Sequence, residues 1–171
     1  MKTYAFRWSD LGDIEQGRPN LGLEAPVMMY RLMQFTFRDV ISRELGLEAT
    51  EELFARAGAL AGREFCRNFL NKDLPFPEFL VDFEKKLIDL KVGILRVESA
   101  NMETMHLTVT ISEDLDCSGL PILGETVCDY DEGFIAGVLK EFTGSKFNVK
   151  EVDCWATGDR TCRFEIKPAG E

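Results

Sequence analysis

The spacing of apolar residues changes once along this chain, and that change restricts the possible folds more than any other feature. From residue 26 to residue 91, apolar side chains recur every three or four positions, as on amphipathic helices. After Gly93 they alternate with polar side chains, as at Leu95 and Val97, which is typical of half-buried strands. We therefore predict an α+β fold, in which N-terminal helices pack with an antiparallel sheet.

Three helices are predicted before the sheet, over residues 26 to 45, over residues 50 to about 70, and after the sequence DLPFP. The first carries apolar residues on two sides, so it should be sandwiched between other elements or contact a second subunit. The second should begin with Thr50 as its capping residue. Its Gly58 and Gly62 are spaced so that another element can approach the helix backbone.

The C-terminal half is predicted to hold two hairpins with a helix between them. The strands of the first hairpin lie near residues 95 and 109, and a loop over 112–127 leads to a helix that ends at Gly144. The second hairpin has strands over 147–154 and 161–166. We expect a single domain over residues 1–171, which consists of an N-terminal arm (1–25), a helical region (26–91) and a region of sheet, helix and metal site (92–171). Within the arm, Tyr4, Phe6 and Trp8 alternate as in a strand or an extended segment.

The composition argues against several classes of function. A formal net charge of −10 repels polyanions, so we expect neither nucleic acid nor an anionic membrane as a partner. No stretch approaches the roughly 20 apolar residues of a membrane-spanning helix. The first residues, MKTYAFRWSD, lack the apolar run of a secretory signal, so a cytoplasmic protein is expected. In a reducing compartment, five cysteines favour metal ligands or core residues over disulfides.

Cys128, Glu151, Cys154 and Cys162 are the candidate metal ligands. The second hairpin brings Cys154 close to Cys162, Glu151 precedes Cys154 on the same strand, and Cys128 begins the helix expected to pack over that hairpin. Zinc takes about four ligands in a tetrahedron, and three thiolates with one carboxylate would close the site and make the metal structural. The alternative is that these are core cysteines, which are among the most buried residues in proteins.

The stretch CDYDEGFIAGVLKEFTGSKFNVKEVDCWATGDRTCRFEI resembles the C-terminal signature of the 4-vinyl reductase domain family. The likeness rests on a Cys, a helix with Gly-Phe and a second Gly, then Glu-x-x-Cys and Gly-Asp-x-x-Cys-x-Phe. The family includes sensor domains of activators that detect phenol-like aromatics, and the resemblance implies that Cys128, Glu151, Cys154 and Cys162 take the zinc-ligand positions of that branch. At fold level the chain also resembles the small subunits of a eukaryotic vesicle-tethering complex.

Other conspicuous residues have ordinary interpretations. Gly133 and Gly137, on the C-terminal helix, are expected to pack closely against the sheet. Cys117 is interpreted as a partly buried loop cysteine, with a reactive thiol or an alternative metal ligand as the other options. Cys66 is expected in the core, although the resemblance leaves covalent modification open, because a family relative carries a lipid on a pocket cysteine. His106 is expected on a solvated strand face.

The surplus of Phe and Met on the first three helices indicates an apolar ligand pocket, and a well-filled core is the alternative. The side chains predicted to line the pocket are Met33, Phe65, Phe69, Phe79 and Phe83. The identity of the ligand does not follow from the sequence.

No catalytic site can be assembled from these residues, since the one histidine has no nucleophile motif beside it and no dinucleotide-binding glycine pattern is present. We therefore expect a non-catalytic domain with structural zinc that binds or senses a small apolar, aromatic or tetrapyrrole-like molecule. It should be a homodimer and pass any signal to a separate output protein. The alternatives are a reductase or accessory protein acting on a tetrapyrrole vinyl group, and a protein-interaction scaffold resembling the vesicle-tethering subunits.

Overall fold

The computed structural model describes residues 4–170, in two compact units of which the first ends at Val40 and the second begins at Ile41. The helices are α1 (Ile14–Gly17), α2 (Val27–Leu45), α3 (Leu47–Phe69), α4 (Phe76–Asp89) and α5 (Asp129–Thr143), and the strands are β1 (Ile94–Asn101), β2 (His106–Ser112), β3 (Phe147–Asp153) and β4 (Cys162–Pro168). The predicted α+β class is confirmed, whereas the single-domain organisation stays a prediction. None of the helices between residues 4 and 170 has the length and apolar character of a transmembrane segment.

The described part of the first unit begins with a short turn and not with a strand. A single 3-10 turn spans Trp8–Leu11. The carboxylate of Asp10 stabilises it by accepting hydrogen bonds from the backbone N–H of Arg7 (2.9 Å) and from the hydroxyl of Tyr4 (3.1 Å). The strand interpretation of the alternating aromatic residues is therefore wrong, because local side-chain bonds to the turn replace the ladder that a strand requires.

Helix α2 begins and ends within one residue of its predicted bounds, and none of its residues is buried. Its apolar side chains are more than half exposed at Met28, Met29, Leu32, Met33, Phe37 and Val40. The surplus of apolar residues that the sequence indicates for this helix therefore corresponds to exposed apolar surface. Contiguous surface of this kind is typical of interaction sites.

Helix α3 begins at Leu47, earlier than the sequence predicts. Its capping residue is Gly46, whose φ of 88° is accessible because glycine has no Cβ atom. Thr50 lies buried inside the first turn, and its hydroxyl donates to the carbonyl oxygen of Gly46 at 2.7 Å. The prediction of Thr50 as the cap is wrong, because this hydroxyl bonds back to the carbonyl four residues earlier and not to free amides ahead of it.

The four described strands form one antiparallel sheet in the order β1-β2-β4-β3. In the central pair, Val109 of β2 lies opposite Phe164 of β4, and Ile111 lies opposite Cys162. All four side chains are buried. Helix α4 packs beside β1 and α5 beside β3, so the buried strand face and the helices share one core.

Helices α3 and α5 approach so closely that their backbones are in contact. A Cβ atom added to Gly62 would lie 2.0 Å from the carbonyl oxygen of Phe134, and one added to Gly133 would lie 1.9 Å from a carbonyl oxygen of α3. Gly58 and Gly137 face the opposite helix in the same way. The close approach predicted for α3 is confirmed. The sheet contact predicted for Gly133 and Gly137 is wrong, because the glycines of α3 leave a groove that these two residues fill.

Candidate metal centre

Four buried cysteine thiols converge near the start of β4. The sulfur atoms of Cys117, Cys128, Cys154 and Cys162 all lie within 4.8 Å of one another, and none of these residues is more than 1% exposed. The Sγ atom of Cys128 is 3.9 Å from that of Cys154 and 3.8 Å from that of Cys162, and the Sγ atoms of Cys117 and Cys162 are 3.0 Å apart. All four are free thiols, which we call the thiol cluster.

A tight turn places Cys117 in the cluster. The Oδ1 atom of Asp114 accepts hydrogen bonds from the backbone N–H groups of Asp116 (2.6 Å) and Cys117 (3.3 Å). The carbonyl oxygen of Cys117 accepts from the N–H of Leu120 at 3.0 Å. Asp114 thus folds the chain back directly after β2, in the way Asx turns do, and directs the thiol inward.

Cys128 caps the N-terminal end of α5, where the helix dipole favours a thiolate. Its backbone N–H donates to the Oε2 atom of Glu151 at 3.1 Å. Glu132, in the first turn of α5, accepts from the backbone N–H of Glu151 (2.9 Å) and from the ammonium group of Lys150 (2.8 Å). These bonds fix the start of α5 against β3 and place Glu151 beside Cys128.

The C-terminal hairpin supplies the other two thiols. Cys154 follows β3, and its carbonyl oxygen accepts from the N–H groups of Thr157 and Asp159, each at 3.1 Å. Cys162 begins β4 and is fixed by its pairing with Ile111. The 3-10 turn at Trp155–Thr157 therefore holds the two cysteines of the hairpin at the cluster.

The loop that carries Cys117 is tied to this hairpin by hydrogen bonds. The indole N–H of Trp155 donates to the carbonyl oxygen of Leu120 at 3.1 Å. The carbonyl oxygen of Ala156 accepts from the N–H groups of Leu123 (2.8 Å) and Gly124 (3.0 Å). Two irregular segments, one before α5 and one after β3, thus meet at the thiol cluster.

The buried charged residues of the described chain are all acidic, at Asp114, Asp116, Asp131 and Glu151. Burial raises the pKa of Asp114 to about 7 and that of Glu151 to about 8, and it raises the pKa of Asp131 well above its ordinary value. One oxygen of Asp131 and the Oε1 atom of Glu151 are buried without a hydrogen-bond partner. Because buried carboxyls and thiols meet here without a buried base, a bound cation would balance the site.

Protons are unevenly held within the thiol cluster. Hydrogen bonds from the neighbouring thiols, first from Cys117, lower the pKa of Cys154, whereas hydrogen bonds with Cys117 and Cys154 raise the pKa of Cys128. The first thiolate therefore forms at Cys154. Metal binding would replace the remaining thiol protons, since a metal requires deprotonated ligands.

The donor set fits zinc in both chemistry and size. Zinc–sulfur bonds of about 2.3 Å in a tetrahedron give sulfur–sulfur edges of about 3.8 Å. The distances from Cys128 to Cys154 and Cys162, 3.9 Å and 3.8 Å, match this edge, and that from Cys117 to Cys162 is shorter. Soft thiolate donors also favour zinc over magnesium or calcium.

Three of the four predicted ligands, Cys128, Cys154 and Cys162, lie in the thiol cluster. Its fourth member is Cys117, for which the sequence favours an ordinary loop cysteine. Glu151 is beside the cluster, but its carboxylate is not in the group whose donor atoms lie within 4.8 Å of one another. Its role as a ligand stays a prediction. Asp114, placed to form an Asx turn before Cys117, is the one signal in the sequence that could have singled out this loop.

The residues predicted to line an apolar pocket belong to different units. Met33 is in the first unit and is 54% exposed. In the second unit, the ring of Phe65 lies 5.1 Å from that of Phe69 and 6.1 Å from that of Phe83, between centroids. Phe79 stacks on Phe142 at 3.8 Å. These phenylalanine rings fill the space between the helices with one another, and the pocket stays a prediction.

Two residues singled out in the sequence have the surroundings expected of them. Cys66 is fully buried in α3, and burial raises the pKa of its thiol to about 11, as in an unreactive core cysteine. His106 is exposed at the start of β2. It lines a surface depression of about 460 Å³ together with Asn101, Glu165 and Lys167.

Comparison with known proteins identifies the part of the chain that carries the thiol cluster. Residues 107–168 match the vinyl-4-reductase domain, and we call them the matched segment. The resemblance to the 4-vinyl reductase family is confirmed over these residues. The matched segment contains nearly all of β2 together with α5, β3 and β4, and all four cysteines of the cluster lie within it.

Relatives extend the likeness beyond the matched segment. An uncharacterised protein of Methanocaldococcus jannaschii is 27% identical over 161 residues, which are 92% of this chain and 86% of the relative. A vinyl-4-reductase family protein of the same organism has a similar structure, with a TM-score of 0.63 and 18% identity over 98% of this chain and 99% of the other. This likeness in structure extends to the N-terminal helices.

Two further solved structures share the fold. The phenol-responsive sensory domain of the transcription activator PoxR, with phenol, has a TM-score of 0.63 and 16% identity over 86% of this chain and 76% of the other. A trafficking protein particle complex subunit 3 from Naegleria fowleri, covalently bound to palmitic acid, has a TM-score of 0.62 and 12% identity over 84% and 96%. At these identities the likeness is one of fold.

Proposed function

We propose that this chain is a zinc-stabilised domain that binds a small apolar or aromatic molecule and acts as a sensor without catalysing a reaction. The observation that carries the proposal is the buried thiol cluster, whose sulfur–sulfur distances of 3.8 Å and 3.9 Å fit a zinc tetrahedron. When bound, zinc would supply a cross-link between a loop, a helix terminus and a hairpin. Thiolates at every corner leave no position for a reactive water, so the metal would be structural.

Metal analysis of the purified protein tests the zinc. We expect one zinc per chain, and we expect Cys154→Ser or Cys162→Ser to lose it and to lower the melting temperature, because the binding free energy of a structural metal is folding free energy. Cys66→Ser is the matched control, since it removes a buried cysteine outside the cluster and should keep the metal. Zinc-free wild-type protein in reducing buffer without chelator would contradict the proposal.

The ligand part of the proposal is supported by fold. The PoxR domain is described with phenol and the Naegleria subunit with palmitic acid, so this architecture accepts aromatic and aliphatic molecules in other proteins. In this chain we propose Phe65, Phe69, Phe79, Phe83 and Met33 as the ligand-binding side chains. Because the phenylalanine rings contact one another, a ligand would have to displace them.

A thermal-shift screen tests the ligand. A molecule that binds only the folded state raises the melting temperature in proportion to the logarithm of its concentration above Kd. We expect such a shift from at least one phenol, fatty acid or tetrapyrrole, with no consumption of the compound. Oxidation of reduced nicotinamide in the presence of a vinyl tetrapyrrole would favour the reductase alternative, and no shift in any class would favour the interaction scaffold.

We further propose a symmetric homodimer formed through α2. Six apolar side chains of this helix are more than half exposed, and covering such surface is what homodimer interfaces do. Light scattering should return twice the chain mass of 19.4 kDa. Phe37→Glu should shift the protein toward the monomer, and a wild-type monomer at micromolar concentration would contradict this part of the proposal.

A further inference from the structure

The thiol cluster and Glu151 together offer five donors to a metal that takes about four. The sequence resemblance assigns the fourth position to Glu151, whereas the geometry offers Cys117. Which of the two ligates the metal determines whether the loop before α5 is part of the metal site. The following argument rests on the proposed function, namely that the cluster holds zinc.

The position of Cys117 is that of a ligand. Its sulfur lies 3.0 Å from that of Cys162 and within 4.8 Å of those of Cys128 and Cys154, and the residue is fully buried. The turn stabilised by Asp114 directs it there, through hydrogen bonds at 2.6 Å and 3.3 Å to the turn backbone. A free thiol with no role in the site would not require this dedicated turn.

The position of Glu151 is that of a group that orients a ligand. Its Oε2 atom accepts from the backbone N–H of Cys128 at 3.1 Å, and its own backbone N–H is held by Glu132 at 2.9 Å. A carboxylate engaged in this way fixes the start of α5, and with it the direction of the Cys128 side chain. Groups that hold metal ligands in place commonly make hydrogen bonds of this kind.

We propose that the metal is coordinated by the four thiolates of Cys117, Cys128, Cys154 and Cys162, and that Glu151 is a positioning residue for Cys128. The coordination then differs from that implied by the family resemblance in one ligand. It joins three segments that are distant in sequence: the loop after β2, the start of α5 and the C-terminal hairpin. Ligand binding or movement at that loop would then be felt at the metal.

X-ray absorption at the zinc edge counts the ligands directly. For the zinc-loaded wild-type protein we expect four sulfur atoms at about 2.3 Å and no oxygen at the shorter distance of about 2.0–2.2 Å. Glu151→Gln should keep four sulfurs, whereas Cys117→Ser should show three sulfurs and one lighter atom. Cys66→Ser is the control and should match the wild-type protein.

A competition titration with a chromophoric chelator provides the second readout. Glu151→Gln should weaken zinc binding by about 10–100-fold, the range for groups that orient ligands, and Cys117→Ser should weaken it further. Three sulfurs and one oxygen in the wild-type protein would overturn the four-thiolate site while leaving the proposed zinc domain in place. Wild-type protein that binds no zinc would overturn the proposed function itself. The wild-type spectrum decides the ligand set even where a variant fails to fold.

Discussion

The second unit of this molecule is stabilised in two different ways on its two sides. Where α3 meets α5, glycines allow the two backbones to touch, and phenylalanine rings fill the space around them. At the thiol cluster, the buried groups are thiols and carboxyls carried largely by loops and turns. The helical side needs only close packing, whereas the thiol side buries groups that are unfavourable without a cation.

This difference separates stability from function. Packed glycines and aromatic rings hold one arrangement of helices whatever the solution contains. A metal site that joins a loop to a hairpin depends on thiol protonation, oxidation and metal supply. We therefore expect chelation to affect the thiol side selectively, and each substitution below tests one side against the other.

The largest effect is expected for Gly62→Ala. The new methyl group would lie 2.0 Å from the carbonyl oxygen of Phe134, so the two helices must move apart. The free energy of unfolding should fall by about 4 kcal/mol or more, beyond the ordinary range for overpacking. Chemical denaturation with and without chelator should give the same loss.

Gly17→Ala is the control for that substitution. No atom lies within 4 Å of a Cβ added to Gly17, so the free energy of unfolding should change by no more than about 0.5 kcal/mol. A small effect of Gly62→Ala, comparable with that of the control, would show that α3 and α5 are not in backbone contact.

A smaller effect is expected for Phe79→Leu on the same side. Phe79 is fully buried and stacks on Phe142 at 3.8 Å between ring centroids, and leucine keeps much of its volume. The free energy of unfolding should fall by about 1.5 kcal/mol, part of it from the lost ring pair. Thermal denaturation should show the same loss with and without chelator, and a loss that vanishes after chelation would contradict the separation of the two sides.

Its counterpart on the thiol side is Trp155→Phe. The phenyl ring keeps most of the packing but leaves the carbonyl oxygen of Leu120 without its indole donor. The free energy of unfolding should fall by about 1 kcal/mol in the metal-loaded protein. After chelation the loss should shrink, because the loop and the hairpin turn would then no longer be held together. An equal loss in both states would indicate that the metal does not order this contact.

The smallest effect is expected for Glu141→Gln, which removes the ion pairs of α5 with Arg67 and Lys72. Its hydrogen bond with Arg67 lowers the pKa of Glu141. A carboxyl whose pKa is lowered on folding stabilises the protein above its unfolded pKa, and this contribution is lost as pH falls through the folded pKa. At pH 7 the variant should lose about 0.5 kcal/mol of unfolding free energy. The difference from wild type should disappear well below the ordinary glutamate pKa of about 4.3, and a difference that grows on acidification would have the wrong sign.

The helices and strands of the second unit were predictable because their apolar spacing is regular. The end of α5 at Gly144 followed from the same reasoning, and the structure places that glycine in the left-handed conformation. The start of α3 was not predictable from Thr50, since a hydroxyl can bond forward to free amides or back to a carbonyl with the same sequence around it.

The metal centre was predictable only in part. Cys128, Cys154 and Cys162 lie at a recognisable spacing in elements with regular patterns. Cys117 lies in a loop without periodicity, and its position depends on hydrogen bonds between Leu123, Gly124 and Ala156 that no sequence pattern encodes. The partners of Gly133 and Gly137 were likewise unpredictable, because the spacing of small residues indicates a close approach but not the element that approaches.

Hydrogen exchange, measured on the zinc-loaded protein and again after chelation, tests the contrast between the two sides most directly. Amides at Leu123, Gly124 and Thr157 report on the loop and turn at the thiol cluster, and amides in the middle of α3 and α5 report on the helical side. We predict that chelation removes protection at the first group and leaves protection in the middle of the two helices unchanged. Unchanged protection at Leu123, Gly124 and Thr157 after complete removal of the metal, or equal loss across both helices, would contradict the account.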